Sequence, residues 1–112
     1  MKLPNVELAI VPERKVKLYL LNPSHPVGGS KALFFLQFGF TTTEWLQLAN
    51  GLLQLARENE VVETEMTKHG RRYVVEERLN APDGTSLKIR TAWYIDVAGA
   101  PPRFVTAHPL PK

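Results

Sequence analysis

From Trp45 to Ala56 the apolar side chains fall at Trp45, Leu48, Ala49, Leu52, Leu55 and Ala56. This i, i+3, i+4, i+7 spacing lines one side of an α-helix, and Thr42 or Thr43 supplies its N-cap. Upstream, Val16, Tyr19 and Leu20 recur at helical spacing. Pro12 suits a first helical turn and Asn22-Pro23 a stop, so a first helix is predicted over residues 12 to 21. A second is predicted from Lys31 to Phe38, capped by Ser30 and closed by Gly39 in a left-handed conformation. Ala32, Leu33, Phe34, Phe35, Leu36 and Phe38 make it apolar nearly all round, which places it at the centre of the core.

After Asn59 the period changes from helical to two. Residues 61–67, 73–78, 87–97 and 103–108 read as four strands. Lys68-His69-Gly70, Pro82-Asp83-Gly84 and Gly99 to Pro102 make short links, which join antiparallel neighbours. The expected fold is α+β: three N-terminal helices packed on a four-stranded antiparallel sheet, in a single domain over residues 1–112. Alternation puts Leu87, Ile89, Thr91, Trp93 and Ile95 on the helix-facing side of the third strand, with Lys88, Arg90, Ala92 and Tyr94 opposite. On the fourth strand Val105 and Ala107 suit the core, leaving Phe104, Thr106 and His108 outside. Arg90, Thr106 and His108 then emerge on one open sheet surface. Phe35, Trp45, Leu52, Ile89 and Trp93 are expected to be buried.

Composition narrows the chemistry. The 112 residues contain no cysteine, which removes disulfides, thiolate zinc sites and cysteine nucleophiles together. His25, His69 and His108 share no ligand-like spacing, so neither a metal nor a cofactor is expected. There is no Gly-x-Ser-x-Gly elbow and no carboxylate pair suited to glycoside chemistry. No stretch has the eighteen or so apolar residues of a membrane span, and a cytoplasmic protein without membrane contact is expected. Fourteen basic against eleven acidic residues give a net charge of +3, which permits a polyanion partner.

The segment from Asn22 to Lys31 is the most unusual locally. Pro23 and Pro26 stiffen it, Gly28 and Gly29 permit close backbone approach, and it ends at a helix start, where free N–H groups favour an anion. It lacks the order of a Walker loop. The plainer reading is a helix-to-helix connection in which His25 caps a carbonyl and Lys31 is solvated.

Several segments together resemble a family of small bacterial domains of unknown function. These are Leu3-Pro4-Asn5, Ala9-Ile10-Val11, Tyr19-Leu20-Leu21-Asn22-Pro23, His25-Pro26-Val27-Gly28, Lys31-Ala32 and Gly39-Phe40. They continue with Glu60-Val61-Val62-Glu63-Thr64, Tyr73-Val74-Val75, Arg90-Thr91-Ala92-Trp93 and Pro102-Arg103-Phe104-Val105-Thr106-Ala107. The His-Pro-x-Gly-x-x-Lys-Ala start of a helix and the late Thr-Ala-x-Pro strand also resemble ribonuclease toxin domains of the barnase, EndoU, colicin and RelE group. Those domains set N-terminal helices against a four-stranded antiparallel sheet.

That resemblance implies a site. His25 and Lys31 match the helix-start motif, Arg90 the basic residue before Trp93, and Thr106 the last-strand threonine. The chain departs at His108, where those toxins often carry tyrosine. The implied activity is metal-independent cleavage of RNA by attack of the ribose 2′-hydroxyl on the adjacent phosphate, in a toxin or stress effector. His25 would act as general base or acid with His108 as its counterpart, Lys31 and Arg90 would bind phosphate, and Thr106 would donate to a nonbridging oxygen. RNA would be the substrate and an antitoxin or immunity protein a partner. The alternative is a noncatalytic protein-interaction module of the same conflict systems, suggested by the mild charge.

Overall fold

The computed structural model describes residues 1–111. A 3₁₀ turn at Val6–Leu8 leads to α1, which opens as an α-helical turn, Glu13–Lys15, and widens into a π-helix, Val16–Leu20. The Leu21 N–H reaches back to the Val16 carbonyl over 2.8 Å, the longer i to i+5 closure of a π turn. Then come α2 (Gly29–Gln37), α3 (Trp45–Glu58), β1 (Glu63–Thr67), β2 (Gly70–Asn80), β3 (Ser86–Ile95) and β4 (Arg103–Pro109). The strands form one sheet in the order β1-β2-β3-β4, all neighbours antiparallel. No helix among the described residues is long and apolar enough to cross a membrane.

The strongly periodic α3 buries Leu48, Ala49, Leu52, Leu55 and Ala56, its whole apolar stripe. These residues join Phe35, Ile89 and Trp93 in one core cluster. Trp93 is fully buried, its ring edge-on to Phe104 at 5.5 Å between centroids. Its indole N–H donates to the Thr91 hydroxyl at 3.0 Å, and that hydroxyl donates to the Val75 carbonyl at 2.8 Å. Thr91 is thus the buried polar residue that lets an indole sit in the core with its N–H satisfied.

Four local expectations are corrected. Trp45 is only partly buried, because it opens α3 at the rim of the stripe. Neither Thr42 nor Thr43 caps α3: its N-cap is Glu44, which makes no side-chain cap bond, and the Thr41 hydroxyl accepts the Glu44 N–H at 3.1 Å in the turn before the helix. Ser30 lies inside α2, which starts one residue earlier at Gly29, and makes no cap bond. Nor is α2 the centre of the core: it buries Gly29, Ala32 and Phe35 but leaves Leu33 61% exposed. Its all-round apolarity serves a cluster of edge-on phenylalanine contacts, Phe34 with Phe35 and with Phe38. Gly39 does close α2 with φ +102°.

Facing on β3 follows the alternation, but β4 breaks it. A register irregularity opposite Ala92 and Trp93 pairs Ala92 with Thr106 and Trp93 with Phe104, leaving Val105 as an extra residue. Phe104 and Ala107 therefore both face the core, at 2% and 0% exposure, and Val105 is only partly buried. The expected placement of Phe104 outside and Val105 inside is reversed by this bulge. Thr106 and His108 keep the outward facing the alternation gave them.

Candidate functional site

The bulge has a consequence beyond packing. β4 is the last strand of the sheet, and at its outer edge the Val105 carbonyl accepts the Lys15 ammonium at 3.0 Å. One residue on, the Thr106 hydroxyl lies 3.0 Å from the Tyr19 hydroxyl and accepts the Lys31 ammonium at 3.1 Å. Lys31 also donates to the Tyr19 hydroxyl at 2.9 Å, closing a three-membered knot drawn from α1, α2 and β4. The π-turn carries Tyr19 to this place: Val16 and Leu20 on either side of it are fully buried, and its own ring is left at the margin. Lys15 and Lys31 lie 5.0 and 5.5 Å from the centre of the Tyr19 ring. Burial raises the Tyr19 pKa, but hydrogen bonds from Lys31 and Thr106 and the charges of Lys31 and Lys15 outweigh it and bring the phenol below its ordinary value.

The loop before α2 is built around its own polar groups. Asn22 accepts the Ser24 N–H on its side chain and the His25 N–H on its carbonyl. His25 does not cap a carbonyl with its ring. Its Nδ1 accepts the N–H groups of both Val27 and Gly28 at 3.0 Å, so in the neutral ring the hydrogen sits on Nε2. The ring stands edge-on to Tyr19 at 5.0 Å. The two glycines serve close packing within the chain: a Cβ at Gly28 would lie 2.8 Å from Tyr19 Cε1, and one at Gly29 would lie 2.6 Å from the Pro23 carbonyl oxygen.

His108 follows Thr106 on the same face of β4 and is paired in register with Arg90. Burial lowers its pKa below the ordinary imidazole value, and the charges of Lys31, Arg90 and Arg72 lower it further, with Glu76 opposing. Arg90 is committed to carboxylates: its guanidinium donates to Glu76 and, at 3.1 Å, to Glu63.

Of the five residues singled out in the sequence, Lys31 and Thr106 touch directly. His25 joins them through Tyr19, and His108 and Arg90 form a second group beside them on the sheet. Tyr19 is the member that sequence reasoning passed over. Its helical spacing marked it as a core position, and only its place three residues before the proline-flanked loop hinted otherwise. An imidazole, a phenol with a lowered pKa, an ammonium and a hydroxyl in one cluster can bind an anion and exchange protons with it. Among the described residues no three His, Asp or Glu side chains come together as a metal-ligating group.

The comparison with curated proteins gives no match. Among solved structures the chain is similar to one in the contact-dependent growth inhibition toxin–immunity protein complex from Klebsiella pneumoniae 342. The TM-score is 0.73 at 16% sequence identity, over 90% of this chain and 99% of that one. At that identity the likeness is one of fold. The family model described as a domain of unknown function, DUF6883, matches residues 2–111, and the chain belongs to that family.

Proposed function

We propose that the chain is an endoribonuclease of the toxin or stress-effector kind, held in check by an antitoxin or immunity protein. The observation that carries this reading is the Tyr19–Lys31–Thr106 knot at the β4 edge, with His25 edge-on to Tyr19 and His108 two residues past Thr106 on the same strand. Its likeness in fold to a chain of a toxin–immunity complex supports it.

In the reaction the ribose 2′-oxygen attacks phosphorus, the bond to the 5′-oxygen breaks, and a 2′,3′-cyclic phosphate and a 5′-hydroxyl result. The nucleophile belongs to the substrate. His108, which burial and the neighbouring cations bias toward its neutral form, takes the 2′-hydroxyl proton. Tyr19, with its lowered pKa, gives a proton to the departing 5′-oxygen. Lys31 and Thr106 bear on the nonbridging oxygens, and His25 adds its Nε2–H. In this conformation His25 is a donor to phosphate, since its Nδ1 is occupied by two backbone N–H groups. Arg90, tied to Glu76 and Glu63, is not free to bind phosphate and acts through its field on His108.

A second reading, a noncatalytic module that binds a protein, is favoured by β1. It is an edge strand whose residues Glu63 to Met66 are all exposed, with Val62 and Met66 at 55% and 67%. Induced expression separates the two. The ribonuclease reading expects growth arrest with loss of intact cellular RNA, relieved by Lys31→Ala combined with Thr106→Ala. Normal growth and intact RNA would favour the module.

A further inference from the structure

Two hollows open beside the Tyr19–Lys31–Thr106 knot; the reaction proposed above uses Tyr19 and His25 from the lining of the first but gives neither hollow an occupant. The first, about 440 Å³, is lined by Pro12, Arg14, Lys15, Leu18, Tyr19 and His25. The second, about 290 Å³, is lined by Pro12, Lys15, Tyr94, Arg103, Phe104 and Val105. Pro12 and Lys15 belong to both, so the hollows are adjacent and Lys15 stands on the ridge between them.

Their chemistry is alike. Each is lined by apolar and aromatic side chains together with cations, and no carboxylate lines either, although Arg103 of the second is paired with Asp96 at 3.2 Å. In the first, Leu18 is 62% exposed and Arg14 makes no ion pair among the described residues. In the second, the Tyr94 hydroxyl is fixed by a 2.6 Å hydrogen bond with Thr67, so the side chain is held in place. Lys15 spends one of its three donors on the Val105 carbonyl and keeps the others. By contrast, the hollow of about 310 Å³ between α3 and β2 sets Glu58 and Glu77 against a single cation, Arg78, a lining less suited to a polyanion.

An apolar pocket with an aromatic wall takes the face of a nucleobase, and a cation between two such pockets takes the phosphate that joins two nucleotides. We propose that these hollows hold two successive bases of a single-stranded RNA, the first belonging to the nucleotide next to the cleaved phosphate, with the linking phosphate on Lys15. The assignment rests on the ribonuclease reading of the neighbouring site and adds its substrate class: unpaired segments of at least two nucleotides beyond the cleaved bond. A base-paired strand would have its bases turned away from both hollows.

Binding is measured by fluorescence anisotropy with 2′-O-methyl RNA hexamers, which cannot be cleaved by their own 2′-oxygen, and cleavage with the matching ribose hexamers. Leu18→Glu places a carboxylate in the first hollow and Arg103→Glu one in the second, where it also breaks the pair with Asp96; both positions are exposed, and circular dichroism checks that each variant folds. Each variant should weaken hexamer binding by about tenfold or more. Arg103→Glu should leave the binding of a mononucleotide 3′-phosphate unchanged, because that ligand ends before the second hollow. A hexamer annealed to its complement should not compete. Cleavage by the unmodified protein, together with unchanged binding and unchanged KM in both variants, would overturn the two-base track and leave the ribonuclease reading standing. Tenfold weaker binding in the variants without any cleavage by the unmodified protein would support the track and sink the catalytic reading. An unmodified protein that neither binds nor cuts RNA would overturn both.

Discussion

Lys31 and Thr106, 75 residues apart in the chain, meet at 3.1 Å, and each also bonds the Tyr19 hydroxyl. Three elements that owe their positions to ordinary core packing thus converge on one polar knot at the edge of the sheet. The β4 bulge sets the strand beside the knot: with Val105 as an extra residue Phe104 joins Ala107 in packing inward, while Thr106 keeps its outward facing toward α1 and α2.

Tyr19→Phe removes the hydroxyl that both partners share and keeps the ring that Gly28 admits. RNA cleavage should fall by roughly a hundredfold or more, as for loss of a proton-transferring group, while the thermal midpoint changes little. A folded Tyr19→Phe protein with full activity would remove Tyr19 from the mechanism.

His108 gives a pH signature. Its folded-state pKa is lowered, so the unfolded chain binds more protons below the ordinary imidazole value of about 6.5. The contribution to stability is present above that pH and is lost as pH falls through the folded pKa. An NMR titration should place the His108 ring midpoint below those of exposed histidines, and Lys31→Ala should move it up. A midpoint at or above the ordinary value, unmoved by Lys31→Ala, would contradict the neutral-base assignment.

His25→Asn separates loop building from chemistry. An asparagine side-chain oxygen can accept the Val27 and Gly28 N–H groups in place of Nδ1, so the loop and the melting temperature should be kept. Activity should nevertheless drop by about tenfold or more through loss of the Nε2–H donor to phosphate. Full activity in His25→Asn but not in His25→Ala would mean that His25 serves only to shape the loop.

In the core, Thr91→Val leaves the Trp93 indole N–H and the Val75 carbonyl without their shared hydroxyl. Chemical denaturation should show a loss of about 1 to 3 kcal/mol for the orphaned buried groups. Trp93→Ala should cost more, about 3 to 5 kcal/mol, by opening a cavity. Near-equal stability of Thr91→Val and the unmodified protein would show that the hydroxyl relay contributes nothing.

These relationships were unevenly legible in the sequence. The α3 stripe and the antiparallel run of strands are periodic patterns, and periodicity survives folding because burial enforces it. His25, Lys31, Thr106 and His108 could be singled out through the resemblance to ribonuclease toxin domains, while prolines, glycines and alternation mark only the backbone around them. Tyr19 could not, since an amphipathic tyrosine on a helix reads as core until its neighbours are known. The β4 reversal was hidden for a related reason: a bulge has no strong sequence signal, and one extra residue flips the facing of everything on one side of it. The peripheral place of α2 was hidden because phenylalanines that pack on one another look the same in sequence as phenylalanines that pack on a sheet.

The most direct measurement is end-group analysis of a single-stranded RNA incubated with the purified protein in excess EDTA, with a parallel reaction on its 2′-deoxy counterpart. The expected result is fragments ending in 2′,3′-cyclic phosphate and beginning with 5′-hydroxyl, no cleavage of the deoxy strand, and loss of these products in the Lys31→Ala, Thr106→Ala double variant. Intact RNA, fragments with 5′-phosphate ends, or equal cleavage of the deoxy strand would contradict 2′-hydroxyl chemistry at the Tyr19–Lys31–Thr106 site.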